Sequence, residues 1–175
     1  MKQFVPAVFL VSALEFGVIG AAPVIAECIP VQGKILNNAI NPDTTLGVVA
    51  MNYGVKKSQA EKKLKCAISG IQQPAQVSNI PVPLQLNFTH TISCDDSDTL
   101  YSGQPIHSRI VLNTVGAFTG GDGASFATFE ELSRPLLYTG SGLFDGVVGG
   151  EIHVKGTFFF ITGAIDMEFE GNVCY

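Results

Sequence analysis

The chain has 175 residues, with 10 lysines and arginines against 15 aspartates and glutamates, and its net charge of −5 leaves no basic surface for nucleic acid. Only 14% of residues are charged, tryptophan is absent, and glycine (19) and phenylalanine (12) are frequent, a composition suited to an all-β protein with short turns. The sequence holds no nucleophile elbow, metal-protease helix motif or phosphate loop, which removes those enzyme classes.

Residues 1–26 read as a signal peptide. Lys2 gives a short positive start, an apolar run follows, and Val24-Ile25-Ala26 offers small residues for cleavage after Ala26. Glu15 would be costly inside a bilayer, so a retained anchor is the lesser alternative. Glu27 before Cys28 argues against a lipoprotein. No later stretch is apolar for long enough to span a bilayer as a helix. Processing leaves residues 27–175 as one domain, secreted or periplasmic, with no stable membrane anchor.

Cys28, Cys66, Cys94 and Cys174 all follow the leader, and an even count in an exported chain favours two disulfides. No CxxC spacing supports zinc, and no metal or other cofactor is expected. Of the three connectivities, Cys66–Cys94 with Cys28–Cys174 is preferred. The first pair joins apparently sequential strands, and the second ties the two ends together.

Residues 27–45 lack a clear period, and Pro30, Gly33, Asn37, Asn38 and Pro42 predict a loop-rich stretch with one short strand at 34–36. Leu46 to Tyr53 is a strand. Ser58 to Lys63 favours a helical turn with Ser58 as its cap. Leu64 to Gly70 returns to strand, with Leu64, Cys66 and Ile68 on one face. Residues 72–83 form a connection that Pro74, Pro81 and Pro83 keep out of any central strand, a candidate lid over a barrel mouth.

Leu84 to Cys94 alternates cleanly. Leu84, Leu86, Phe88, Ile92 and Cys94 share a face, and His90 falls on that apolar face. A buried histidine is usually satisfied by a nearby polar partner; the alternative is a polar group aimed into a cavity. Asp95, Asp96 and Asp98 follow as an acidic turn without the spacing of a calcium loop. Thr99 to Ser102 is a short strand closed by Gly103 and Pro105. His107 to Phe118 alternates again, with Ile110, Leu112 and Thr114 opposite Arg109, Val111 and Asn113. Gly120 to Gly123 is a hairpin tip. In the strand Ser125 to Leu132, the set Phe126, Thr128, Glu130 and Leu132 opposes Ala127, Phe129 and Glu131, so either Glu130 or Glu131 points inward, with Arg134 close enough to pair with one of them.

The last third carries the clearest pattern. Ile152, Val154, Phe158 and Phe160 alternate with Glu151, His153 and Lys155, and the turn Thr162-Gly163 leads into Ile165, Met167, Phe169 and Val173 alternating with acids. Phe159 and Ile161 then fall on the outer face, where they are covered by another segment or form a subunit contact. Gly140, Gly142, Gly146, Gly149 and Gly150 surround Leu143-Phe144 and suit the bends of a coiled barrel wall.

The run Gly140-Ser-Gly142-Leu-Phe144-Asp-Gly146-Val-Val-Gly149-Gly150, with Gly156, Gly163 and Gly171 after it, resembles the G-x-G-x-F-x-G-a-x-G signature of the allene oxide cyclase barrel-like superfamily, which includes the dirigent proteins. The match covers about the last third of the chain. The resemblance implies an antiparallel barrel of about eight strands, often a homotrimer, holding an apolar small molecule. It also implies cofactor-free cyclisation or steering by a cavity acid, for which Glu130, Glu131 and Asp145 are candidates by position.

The leading expectation is a barrel that binds or shields a small apolar ligand. Phe88, Phe126, Phe158, Phe160 and Phe169 would line its interior, with His90 and Glu130 as polar groups. The alternatives are a cofactor-free isomerase or cyclase using His90 and an inward acid, and an extracellular structural or interaction protein using Phe159 and Ile161. A barrel filled by its own side chains stands against the first two.

Overall fold

The computed structural model describes the backbone of residues 26–54, 62–74, 85–101 and 104–175 and, within these, the side chains outside 96–106. The expected leader before Ala26, the first residues of the expected helical turn at 58–63, most of the proline-rich connection and the side chains of Asp96 and Asp98 lie outside the described residues.

The chain forms one closed antiparallel barrel of eight strands in sequence order. The strands are β1 (Cys28–Asn41), β2 (Thr44–Tyr53), β3 (Lys62–Gln72), β4 (Gln85–Tyr101), β5 (Gln104–Gly121), β6 (Phe126–Pro135), β7 (Gly149–Phe159) and β8 (Ala164–Cys174). β1 pairs with β8 from Cys28↔Cys174 to Asn38↔Ala164, so no strand edge is left open. Alternation explains the wall. Val31 and Ile35, Val49 and Met51, Ile110 and Leu112, and Met167 and Phe169 turn inward and are buried, while Lys34, Ala50 and Glu168 face solvent.

Both disulfides have the preferred pairing. Cys66 and Cys94 are direct cross-strand partners on the inner face, where both are buried. Cys28 and Cys174 are partners on the outer face and join the first strand to the last. Such bonds persist in an oxidising compartment.

Three expectations about elements are corrected. β1 is a full strand of 14 residues, not a loop with a short strand at 34–36. Its inward positions include Gly33 and the buried Asn37, which interrupt the apolar alternation, and Pro30 is tolerated near the strand start, where its carbonyl accepts from Gly54 N–H at 3.0 Å. The acidic stretch after Cys94 is no turn: β4 continues for 17 residues to Tyr101, with a register shift between Asp96 and Leu100. Lys62 and Lys63, expected to end a helical turn, belong instead to β3.

The glycine-rich run also differs from the expected barrel wall. Between β6 and β7 it forms a connection with a 3-10 turn at Gly142–Phe144, and that connection plugs one end of the barrel. Phe144 is only 1% exposed and packs edge-on against Tyr53 at 5.7 Å. Ser141 exchanges backbone hydrogen bonds with Arg109 (2.9 and 3.1 Å), and Leu143 N–H donates to the buried Ser108 Oγ at 2.9 Å. The Tyr175 hydroxyl donates to Leu143 O at 2.6 Å and lies 2.6 Å from the Tyr53 hydroxyl. Gly142 (φ 63°) and Gly146 (φ 76°) supply the left-handed backbone this tight path needs.

Candidate functional site

With one end sealed by Phe144, Val147, Tyr53 and Tyr175, the described residues form a cup that opens at the other end. The mouth is ringed by the β1–β2 turn, the ends of β3 and β5, and the β7–β8 turn. Below it lies a chamber of about 380 Å³. Its upper wall is mainly apolar, with Leu86, Phe88, Phe118, Phe158 and Ile165, and its rim carries the polar Asn41, Gln72 and Gln85. Its floor is polar: Asn37, Thr45, His90 and Glu131. A second, smaller space of about 20 Å³ lies beneath, shared with His90, Glu131 and Met167 and otherwise bounded mainly by aliphatic side chains. It has room for about one water molecule.

The polar floor is built in a consistent way. Each group sits directly across from a glycine on a neighbouring strand: His90 from Gly70, Glu131 from Gly116, Asn37 from Gly47. A Cβ at Gly70 would lie 2.7 Å from His90 Nε2 and 2.5 Å from Thr45 Oγ1, and one at Gly116 would lie 2.6 Å from Glu131 Cγ. The missing side chains make the space that these polar groups occupy.

His90 Nδ1 hydrogen-bonds Thr114 Oγ1 at 3.0 Å, and Thr114 Oγ1 in turn hydrogen-bonds Ser133 Oγ at 2.7 Å. The imidazole also stacks on Phe88, with planes 10° apart and centroids at 5.5 Å. Burial lowers its pKa to about 4, so the ring is neutral at neutral pH. Asn37 Nδ2 donates to Thr45 Oγ1 at 2.9 Å. Glu131 differs from all of these. It is 8% exposed and its carboxylate has no hydrogen-bond partner among the described residues. Burial raises its pKa to about 7. His90 and Glu131 share the cavity but do not hydrogen-bond each other.

The expected lining residues divide. Phe88, Phe158 and His90 line the mouth chamber, and Phe169 lines the space beneath it. Phe126 and Glu130 do not face inward. Phe126 is on the outer face at 37% exposure, and the exposed Glu130 pairs with Lys155 at 3.3 Å. β6 carries a phenylalanine on each face, so its alternation alone does not say which is inside. Packing of Phe129 against Phe118 and over Gly156 sets the register that turns Glu131 inward. Phe160 belongs to the β7–β8 turn, 41% exposed, with its ring edge-on to Phe158 at 5.1 Å. Asp145 is exposed at the plugged end, away from the cavity. Arg134 pairs with neither Glu130 nor Glu131 but with Glu151, at 2.9 Å. Phe159 and Ile161 are exposed, as alternation required.

Sequence reasoning missed Asn37, Thr45, Thr114 and Ser133 as interior polar groups, and it missed the exposed apolar stripe of Leu36, Leu46, Val48 and Ile71 on the outside of β1–β3. The signal for Asn37 and Thr45 was the pair of mid-strand glycines directly across from them, Gly47 and Gly70; Thr114 and Ser133 face no glycine.

Comparison with protein-family models, curated proteins and solved structures finds no match to this chain.

Proposed function

We propose that this protein is an exported, disulfide-stabilised barrel that binds a small apolar ligand in its open cup. The observation that carries the reading is the chamber of about 380 Å³ with its aromatic upper wall, since a barrel filled by its own side chains has no such space. The test is titration with a neutral fluorescent apolar probe such as N-phenyl-1-naphthylamine. Saturable one-site enhancement supports the reading. The absence of enhancement, or enhancement undiminished by Ile165→Trp, which fills the chamber, defeats it.

A second reading is a cofactor-free isomerase or cyclase, as the resemblance to the allene oxide cyclase and dirigent superfamily implies. It is favoured by an acid with a pKa of about 7 in the same cavity as a neutral histidine. In that case Glu131 gives a proton to, or takes one from, the bound molecule. It predicts conversion of an unsaturated epoxide by the wild-type protein and loss of that conversion in Glu131→Gln.

A third reading, an exterior interaction protein or homotrimer, draws on exposed Phe159 and Ile161 and on the cross-strand pair Leu36 and Val48, 58% and 59% exposed. Sedimentation as a clean monomer would count against it.

A further inference from the structure

We propose that the cup is selective for an amphiphile whose buried head is a hydrogen-bond donor, a hydroxyl or an amine, and that it rejects a carboxylate head. This rests on the ligand-binding reading above and specifies its chemistry.

The argument starts from the vertical order of the chamber. Below a rim that includes Asn41, Gln72 and Gln85, a band of apolar groups stands above the polar pair His90 and Glu131. A molecule that matches this order enters head first and leaves its hydrocarbon against Phe88, Phe118 and Phe158. The floor then decides what the head is. Thr114 and Ser133 are committed to the chain that starts at His90 Nδ1, and Asn37 is committed to Thr45. Three groups lining the chamber remain without a hydrogen-bond partner among the described residues: the Glu131 carboxylate, the Nε2 edge of His90 and, at the rim, Gln85 Oε1. An ionised carboxylate only accepts hydrogen bonds. A hydroxyl or ammonium supplies the donor that Glu131 lacks, whereas a ligand carboxylate would place like charges together in a buried site.

The surroundings of Glu131 sharpen the discrimination. Its register neighbours are Gly116 on β5 and Val154 on β7, and it lines the deeper space together with Met167 and Phe169 of β8. His90 of β4 is the other titratable group in the lining among the described residues, and it is neutral at neutral pH. No cation among the described residues faces the site to offset a second negative charge. The net charge of −5 further disfavours an anionic ligand.

The experiment displaces N-phenyl-1-naphthylamine from the full exported domain with decanol, decylamine and decanoate. These share one tail length and differ in the head. At about pH 8, above the titration of Glu131, decanol and decylamine should displace the probe, with decanoate at least tenfold weaker. Glu131→Gln should bring decanoate to within about threefold of decanol and weaken decylamine, which loses the opposite charge. Decanoate displacing the probe as well as decanol from the wild-type protein would overturn the inference, as would a head preference unaltered in Glu131→Gln. If the variant does not fold, the wild-type series alone decides. If the probe itself fails to bind, the ligand-binding reading falls instead. If the probe binds and no member of the series displaces it, that reading stands and the head inference fails.

Discussion

Gly70 lies directly across from His90 on the neighbouring strand, and a single methyl group at Gly70 would come within 2.7 Å of the imidazole Nε2. The glycine is therefore space for a side chain on another strand. Gly70→Ala should destabilise the fold by about 1–3 kcal/mol, the usual cost of overpacking. The same Cβ would crowd Thr45 Oγ1 at 2.5 Å. Adding His90→Ser should return part of that loss, because the variants share one space. Denaturant unfolding of the single and double variants checks this, and simple additivity would contradict it.

The two buried titratable groups of the cavity give opposite pH dependences. Glu131 has its pKa raised from 4.5 to about 7, so between these values the folded state holds a proton that the unfolded state has lost. Its contribution to stability therefore falls as pH rises from about 4.5 to 7, by roughly 3 kcal/mol in all. His90 has its pKa lowered from 6.5 to about 4, so there the unfolded state holds the extra proton. Its contribution rises across about 4 to 6.5 by a similar amount. In the wild-type protein the two nearly cancel. Glu131→Gln should leave a stability that climbs with pH over this range, relative to wild type, and His90→Gln one that declines. Unfolding free energies at several pH values check the signs, and parallel profiles for the two variants would contradict the account.

Much of this architecture is legible in the sequence, and the reasons differ along the chain. β7 and β8 are clear because the residues between their inward apolar groups are mostly charged or polar, and the disulfide pairing follows because strand order places Cys66 beside Cys94 and Cys28 beside Cys174. β1 was obscured because Gly33 and Asn37 occupy inward positions, where one serves Phe169 and the other the polar floor. The cavity acid was assigned one residue early. Phe126 and Phe129 give β6 an apolar residue on each face, and only packing against β5 and β7 chooses between them. The Leu143-Phe144 pair was visible as a feature, but its role as a plug depends on Ser108, Tyr53 and Tyr175, which are distant in sequence.

The plug carries its own prediction. Phe144 is fully enclosed and closes the barrel floor, so Phe144→Ala should cost about 3–5 kcal/mol. Thermal or denaturant unfolding checks it, and a loss well under 1 kcal/mol would mean that the connection is not a packed seal.

The two disulfides should separate in both stability and reactivity. On the chain-entropy account the 28-residue separation of Cys66–Cys94 gives roughly 3–4 kcal/mol, and the 146-residue separation of Cys28–Cys174 roughly 5. Cys28 is exposed, whereas Cys66 and Cys94 are buried in the barrel interior. Mild reductant should therefore open Cys28–Cys174 first, although removing it costs more. Trapping free thiols with time and mapping them checks the order, and earlier labelling of Cys66 or Cys94 would contradict it.

The most direct measurement uses the methionines. Met1 falls in the expected leader, Met167 lines both the mouth chamber and the space beneath it, and Met51 lines only the deeper space. With methyl-labelled methionine, titration of decanol into the protein should shift the Met167 resonance saturably and move Met51 far less, and Ile165→Trp should abolish the response. A Met167 resonance that stays in place at saturating ligand would show that nothing enters the cup.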